Sequence, residues 1–389
     1  MRNKIPKHWQ KSKFEDVLKY EQPSKYIVKS TEYGDDYKTP VLTAGKSFIL
    51  GYTDEKDGIF TDVPVIIFDD FTTDTKFVDF HFKVKSSAMK ILKPTHNTNI
   101  KFIFYLMQTI HHKSDTHKRY WISEYAKREI PLPPLDEQNL IVKKIERCFE
   151  KIDFAISNFK KSKELIEIYK QSVLSHAFNG KLTNSNLNSW QVKKLGEIFN
   201  IVRGGSPRPI KSFLTDDENG VNWIKIGDVG VGSKYITQTK QKIHKDGLRQ
   251  SREIKIGDLL LTNSMSYGRP YISKINGAIH DGWLVFQPKF EISKDYVFYF
   301  FTNSQTYKKL SNLAVGSTVK NLQINFLEKF EIPLPPLSEQ NLIVSQIEKR
   351  FKAADSSLNL IEQNLKKAEI LKQSILSKAF NGRLVKDKK

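Results

Sequence analysis

Apolar residues recur in this chain with two rhythms. Between residues 145 and 177 they fall at Ile145, Phe149, Ile152, Ile156, Phe159, Ile166, Val173 and Ala177, in steps of four and three interrupted by Lys163 and Lys170. A matching row runs through Ile347, Phe351, Ala354, Leu358, Ile361, Leu365, Ala368, Ile375 and Ala379, with Lys372 in the seam. This heptad spacing predicts two long helices, each with one apolar stripe, as in a coiled coil. Each follows a proline-rich hexapeptide (130–135 and 332–337) that cannot itself be helical. Asp136 and Ser338 are the expected N-caps, and Asn179-Gly180 and Asn381-Gly382 the expected stops. Some 40 residues at about 1.5 Å each make a rod of roughly 60 Å.

The two rows belong to an internal repeat. Ile130–Leu135 (IPLPPL) recurs as Ile332–Leu337, an offset of 202, and the offset holds without a gap from Ile130 to Leu182, with 28 identities in 53 positions. Upstream, Trp9-Gln10 and Trp190-Gln191 open a weaker match at an offset of 181. The order is module, helix, module, helix, with segments 1–129, 130–182, 183–331 and 332–389. The modules differ in sequence while the helical segments are nearly alike, so the modules are expected to read different things on a scaffold that does one job twice. Antiparallel pairing of the helices is the simpler choice, because the second module then joins neighbouring helix ends. It gives a pseudo-two-fold arrangement with a module at each end of the rod and the chain termini close together.

The other rhythm is short β-like runs between turn signals. In the first module Val63–Phe68, Phe77–Phe82 and Ala88–Leu92 read as strands and Ile100–Ile110 as a helix. In the second, Val221–Ile226, Leu259–Thr262, Tyr271–Ile275 and Leu284–Phe286 read as strands, with a helix over Asp295–Asn303. The expected class is α+β: two mixed α/β domains separated by an antiparallel coiled coil of two long helices.

Charge narrows the partner. Lys and Arg number 63 against 43 Asp and Glu, a formal net charge of +20, which favours a polyanion and above all nucleic acid. The single cysteine, Cys148, rules out an intrachain disulfide framework and suits a reducing cytosol. Residues 1–10 lack the apolar core of a signal peptide, and no apolar run is long enough to span a bilayer. Basic, aromatic and glycine-bearing loops are the candidate DNA contacts: Arg203, Ser206, Arg208 and Lys211 in one, Tyr267 and Arg269 in another. The 202 offset also aligns Thr116-His117-Lys118 with Thr318-Val319-Lys320. The shared Thr116, Lys118, Thr318 and Lys320 read either as a common turn or as a phosphate-binding loop, with Arg119 and Asn321 next to them as candidates for base contact. Asp246, Glu253 and Lys255 resemble a metal-nuclease core only faintly, and His111, His112 and His117 suit solvent or phosphate better than a metal. No S-adenosylmethionine glycine loop, amino-methylation motif or GxxxxGK[ST] loop is present.

The duplicated PLPPLxEQxxIV (Pro131–Val142 and Pro333–Val344) and the AFNG-[KR]-L helix ends resemble the specificity subunit of a type I restriction-modification system. So do Trp190…Leu195-Gly196-Glu197, Gly204–Pro207, Trp223–Asp228 and Gly316-Ser317-Thr318-x-Lys320. The first module lacks equivalents of Gly204–Pro207 and Trp223–Asp228. The resemblance implies that the modules are target-recognition domains, each reading half of a bipartite site. It implies a non-catalytic subunit, in the cytoplasm, that binds DNA and two methyltransferase subunits, and restriction subunits through them. It implies no cofactor of the chain's own, S-adenosylmethionine, ATP and Mg belonging to the partners. On the residues alone, a self-sufficient nuclease or methyltransferase and a protein-interaction scaffold stay open as alternatives.

Overall fold

A computed structural model describes residues 5–43, 47–110, 119–185, 187–263, 267–312, 314–315 and 321–385. The chain forms two compact units, Met1–Lys160 with Glu362–Lys389, and Lys161–Ile361. Both boundaries fall inside long helices.

In the first unit, β1 (Gln10–Lys13), α1 (Phe14–Val17), β2 (Leu18–Glu21), β3 (Thr39–Leu42), β4 (Ile49–Thr53) and β5 (Val65–Asp69) lead to β6 (Thr75–Val78), β7 (Lys83–Val84) and β8 (Met89–Pro94). Next come α2 (Ile100–Met107), β9 (Glu129–Leu132) and the long α3 (Leu135–Ala177), which continues into the second unit. There, β10 (Gln191–Lys194), α4 (Leu195–Ile198), β11 (Phe199–Arg203), β12 (Leu214–Thr215), β13 (Val221–Ile224), β14 (Tyr235–Ile236) and β15 (Gln241–Ile243) are followed by β16 (Arg252–Ile254), β17 (Leu259–Thr262), β18 (Pro270–Ser273), β19 (Gly277–Ile279) and β20 (Trp283–Pro288). Then come α5 (Lys294–Thr302), α6 (Ser304–Ser311), β21 (Ala314–Val315), β22 (Asn321–Leu322), α7 (Ile324–Leu327), β23 (Glu331–Leu334) and α8 (Leu337–Phe380), which returns to the first unit.

The two domains share a topology that their sequences hide. The main sheet runs β2-β8-β5-β6 in the first and β11-β20-β17-β18 in the second, with β14 added at the edge. The labelled neighbours common to both are antiparallel. In the smaller sheet β3 pairs antiparallel with β4 and parallel with β7, just as β13 pairs with β15 and β19. β1 meets the proline-rich β9 with Gln10 opposite Leu132, and β10 meets β23 with Gln191 opposite Leu334. The segment Trp223–Asp228, which has no counterpart in the first module by sequence, therefore has one by place: β13 corresponds to β3.

Within each unit the helices pack antiparallel. In the first, Ile141, Val142, Ile145 and Ile152 share a core with Ile375, Leu376 and Ala379. In the second, Val173, Leu174 and Ala177 share one with Ile343 and Ile347. The residues expected at the seam (Ile145, Phe149, Ile152, Ile156, Phe159, Ile166, Val173, Ile347, Phe351, Leu358, Ile361, Leu365 and Ile375) are all buried or half-buried. The lysines that interrupt the heptads are paired across it. Lys170 Nζ lies 2.5 Å from Asp355 and over the Phe351 ring, and Lys372 Nζ lies 2.5 Å from Asp153 and over Phe149. Each of these residues has its counterpart 202 positions away.

Some expectations are corrected. The long helices start at Leu135 and Leu337, directly after the prolines, so Asp136 and Ser338 lie in the first turn instead of capping it. Pro134 O accepts the Gln138 N–H, at 3.0 Å, and Pro336 O that of Gln340. The run Phe77–Phe82 is strand only to Val78; Phe82 makes an isolated bridge to Phe60. The run Val221–Ile226 is strand only to Ile224, and Ile226 opens a 3-10 turn. Near the termini, Pro6 lies against Gly382, where any side chain would collide with it, and Leu187 lies against Gly180 in the same way.

Candidate nucleic-acid interface

Each domain is fixed to its helices by the same two bonds. Gln138 Oε1 accepts from the N–H of Asn99 at 2.9 Å, and Asn99 caps α2 through a bond from Phe102 N. Gln340 Oε1 accepts from Ser293 N at 3.0 Å, and Ser293 caps α5. Each glutamine spends its amide N–H on a carbonyl of the proline-rich segment, Pro133 O or Pro335 O. Glu146 and Glu348 take a lysine from the domain, Lys101 at 2.6 Å and Lys234 at 2.7 Å. Lys234 also meets Asp295 at 2.6 Å. Burial opposes its charge, but these two carboxylates raise its pKa well above the ordinary lysine range. A caged cation of this kind is a rigid mount.

Arg203, Ser206, Arg208 and Lys211 of the second domain gather around the turn between β19 and β20. Arg203 Nε donates to Asp281 O at 2.8 Å, and Ser206 Oγ donates to Asp281 Oδ1 at 2.9 Å. Burial works against the Asp281 charge, yet the Ser206 bond and the neighbouring His280 and Arg203 hold its pKa below the usual value. Ser206, Arg208 and Lys211 line an open cavity of about 560 Å³ together with Trp223, Lys225 and His280. The approach of the Gly204-Gly205 backbone explains the loop's composition: a side chain on either glycine would run into the carbonyls of His280 or Gln250.

Asn263 ties this turn to the next segment. Its N–H donates to Gly282 O at 2.7 Å and its carbonyl accepts from Leu322 N at 3.2 Å. Asn321, next to Leu322, is half-buried, with its Oδ1 unpaired among the described residues. Arg269 belongs to the same loop as Asn263, its N–H donating to Thr262 Oγ1 at 2.9 Å, whereas Tyr267 stacks on Tyr307 at 6.1 Å. Arg119 is exposed in the first domain. Thr116, Lys118, Thr318 and Lys320 lie outside the described residues, as do His111, His112 and His117.

His280, Asp281, Trp223 and Lys225 were not singled out from the sequence as contact residues. His280 and Asp281 are single residues in a short turn and carry no spacing signal. The His280 ring nitrogens lie 2.7 Å from Gly282 N and 3.2 Å from Ile226 N, with Asp281 Oδ1 3.4 Å from Nδ1; the neutral ring can accept at only one of the two nitrogens. Burial, aided by Lys225 and opposed by Asp281, pushes its pKa down. Among the described residues, no group of His, Cys, Asp and Glu is arranged to hold a metal ion, and no helix is long and apolar enough to cross a membrane.

The model of the type I restriction modification DNA specificity domain matches residues 6–166 and 188–369. The chain belongs to this family. The specificity subunit of the type I restriction enzyme EcoR124I/EcoR124II from Escherichia coli is 32% identical over 374 residues, covering 92% of this chain and 89% of that one. The MjaVIII specificity subunit of Methanocaldococcus jannaschii is 24% identical, covering 98% and 94%. The fold is that of the HsdS subunit from Thermoanaerobacter tengcongensis, with a TM-score of 0.60 at 19% identity over 98% of this chain and 99% of that one. A chain solved in work on the assembly and conformational transition of the type I R-M system gives 0.75 at 19% over the same shares. As a specificity subunit, the protein recognises DNA sequence within a type I restriction-modification enzyme and carries out no catalysis itself. DNA and the methyltransferase and restriction subunits are its partners.

Proposed function

We propose that each domain reads one half of a bipartite DNA target and that the long helices set the gap between the halves. The observation that carries this reading is the shared strand order of two domains held by the same scaffold bonds but presenting different loops. Equal folds on equal mounts do the same job twice, and different loop side chains make the two jobs read different bases. The net charge of +20 supports a DNA partner. In the native host, sequencing that detects methylated bases should give two short blocks of fixed bases separated by a constant gap. A single contiguous site would contradict the reading.

The scaffold supports a stoichiometry of two methyltransferase subunits per chain, with restriction subunits held through them. Apolar side chains stand exposed at equivalent positions of α3 and α8: Leu140 and Leu342, Ile168 and Ile370, Tyr169 and Leu371. Exposed apolar groups repeated in this way fit one partner bound twice. S-adenosylmethionine, ATP and Mg would enter with those partners, in the cytoplasm. Ile168→Asp or Ile370→Asp should each remove one methyltransferase copy, and the double variant both, as read by the mass of the purified complex. Full occupancy in the double variant would place the docking surface elsewhere.

A further inference from the structure

We infer that the first domain reads its half-site through three exposed turns joined at Asp70, carrying Phe71 and Thr72, Lys85 to Ser87, and Arg119. This deepens the half-site reading above and rests on it. The shared topology makes the assignment. Asp70 follows β5 as Asn263 follows β17. The Asp70 N–H donates to Ala88 O at 3.3 Å, just before β8, as Asn263 N donates to Gly282 O just before β20. The Asp70 carbonyl accepts from Tyr120 N at 3.1 Å as that of Asn263 accepts from Leu322 N. Tyr120 and Leu322 are themselves 202 residues apart. Three segments thus meet at the same place in both domains, and in the second domain they carry Arg269, the His280-Asp281 pair and Asn321.

The chemistry of the first patch suits a duplex. Phe71 is 41% exposed at the tip of a turn. Its N–H and that of Thr72 both donate to Asp69 Oδ1, at 2.8 and 3.3 Å, so the backbone of the turn that carries the ring is fixed. An exposed aromatic ring on a fixed turn fits a thymine methyl or a base step. Thr72, Ser86 and Ser87 offer hydroxyls for base edges, and Lys85 and Arg119 offer cations for phosphate or guanine. All are exposed.

Beneath them the mount is stiff. Asp70 Oδ1 accepts from Trp121 N at 2.9 Å and Oδ2 lies 3.3 Å from Lys90 Nζ, both side chains nearly inaccessible. Where the second domain has neutral Asn263, the first has a buried ion pair. Losing one partner of such a pair leaves an uncompensated charge, so the three turns are locked to one another.

The test uses the full chain co-expressed with its methyltransferase subunits in cells lacking other DNA methylation, with long-read mapping of methylated bases. Phe71→Ala and Lys85→Ala are made in one domain and Arg269→Ala in the other. These first-domain side chains are exposed, and an unchanged yield of assembled complex confirms folding; Phe71→Leu serves as the milder variant. The first-domain variants should relax fixed bases in one half only, leaving the other half and the gap as in the parent. Binding of the parent site should weaken on the order of tenfold per lost base contact. If Arg269→Ala relaxes one half while the first-domain variants leave the map unchanged, the patch is not the reader. If the parent map is not bipartite, the half-site reading itself falls, and this inference with it.

Discussion

Gln138 and Gln340 do the same work 202 positions apart, each bonding the N–H that opens a domain helix and a carbonyl of the adjoining proline-rich segment. Both are buried, so removing one leaves two backbone groups without a partner. Gln138→Ala should cost the first unit about 1–3 kcal/mol, seen as faster amide exchange there and not in residues 161–361. His280 gives a pH signature to the second unit. Its folded pKa lies below the ordinary 6.5, so the unfolded chain binds the proton first. Its contribution is complete above about pH 6.5 and is lost as pH falls through the folded value. Between pH 7.5 and 5.5 the thermal midpoint of the parent should fall more than that of His280→Gln; equal falls would mean the ring takes up its proton as readily folded as unfolded. Lys320→Ala should weaken binding to all DNA sequences alike and flatten the salt dependence by about one unit of slope. Composition pointed to the loop of Arg203 and Ser206, and the structure brings both onto Asp281. Asp70 and Asn263 were not legible in the sequence, because their role is set by which strand ends meet.

At the scale of elements, the helices were the most legible part, because a heptad row that occurs twice in one chain specifies a pair of packed helices. Lys170 and Lys372 looked like interruptions; the structure makes them cross-helix pairs with Asp355 and Asp153. The carboxylates are more than half exposed, so each pair is worth under about 1 kcal/mol, and its use is to fix register. Replacing both lysines with leucine should leave stability equal or higher while loosening the alignment of the helices, measurable as a broader spread of spin-label distances. An unchanged spread would show that packing alone sets register. The strands were harder to place. Leu18–Glu21 and Phe199–Arg203 carry polar residues at sheet edges and were missed, whereas the run at Ala88–Leu92 is part of the strand Met89–Pro94. The likeness of the two domains lies in strand order, which residue identities do not record. Removing two helical turns, seven residues, from each long helix would shorten each by about 10 Å. That is roughly three base pairs at 3.4 Å each, so the target gap should shrink by about three while both halves stay fixed.

The whole molecule combines a charge of +20 with two domains whose main sheets share one strand order. Its affinity for DNA should fall steeply with salt, since each phosphate contact adds about 0.9 to the slope of log affinity against log salt; a flat response would mean the charge serves something else. The central claim is that recognition is divided between the domains. It is tested most directly by replacing residues 1–129 with the corresponding segment of another specificity subunit and mapping the bases that the assembled methyltransferase then modifies. One half of the target should change to that of the donor, with the other half and the gap preserved. A change in both halves, or in neither, would contradict the account.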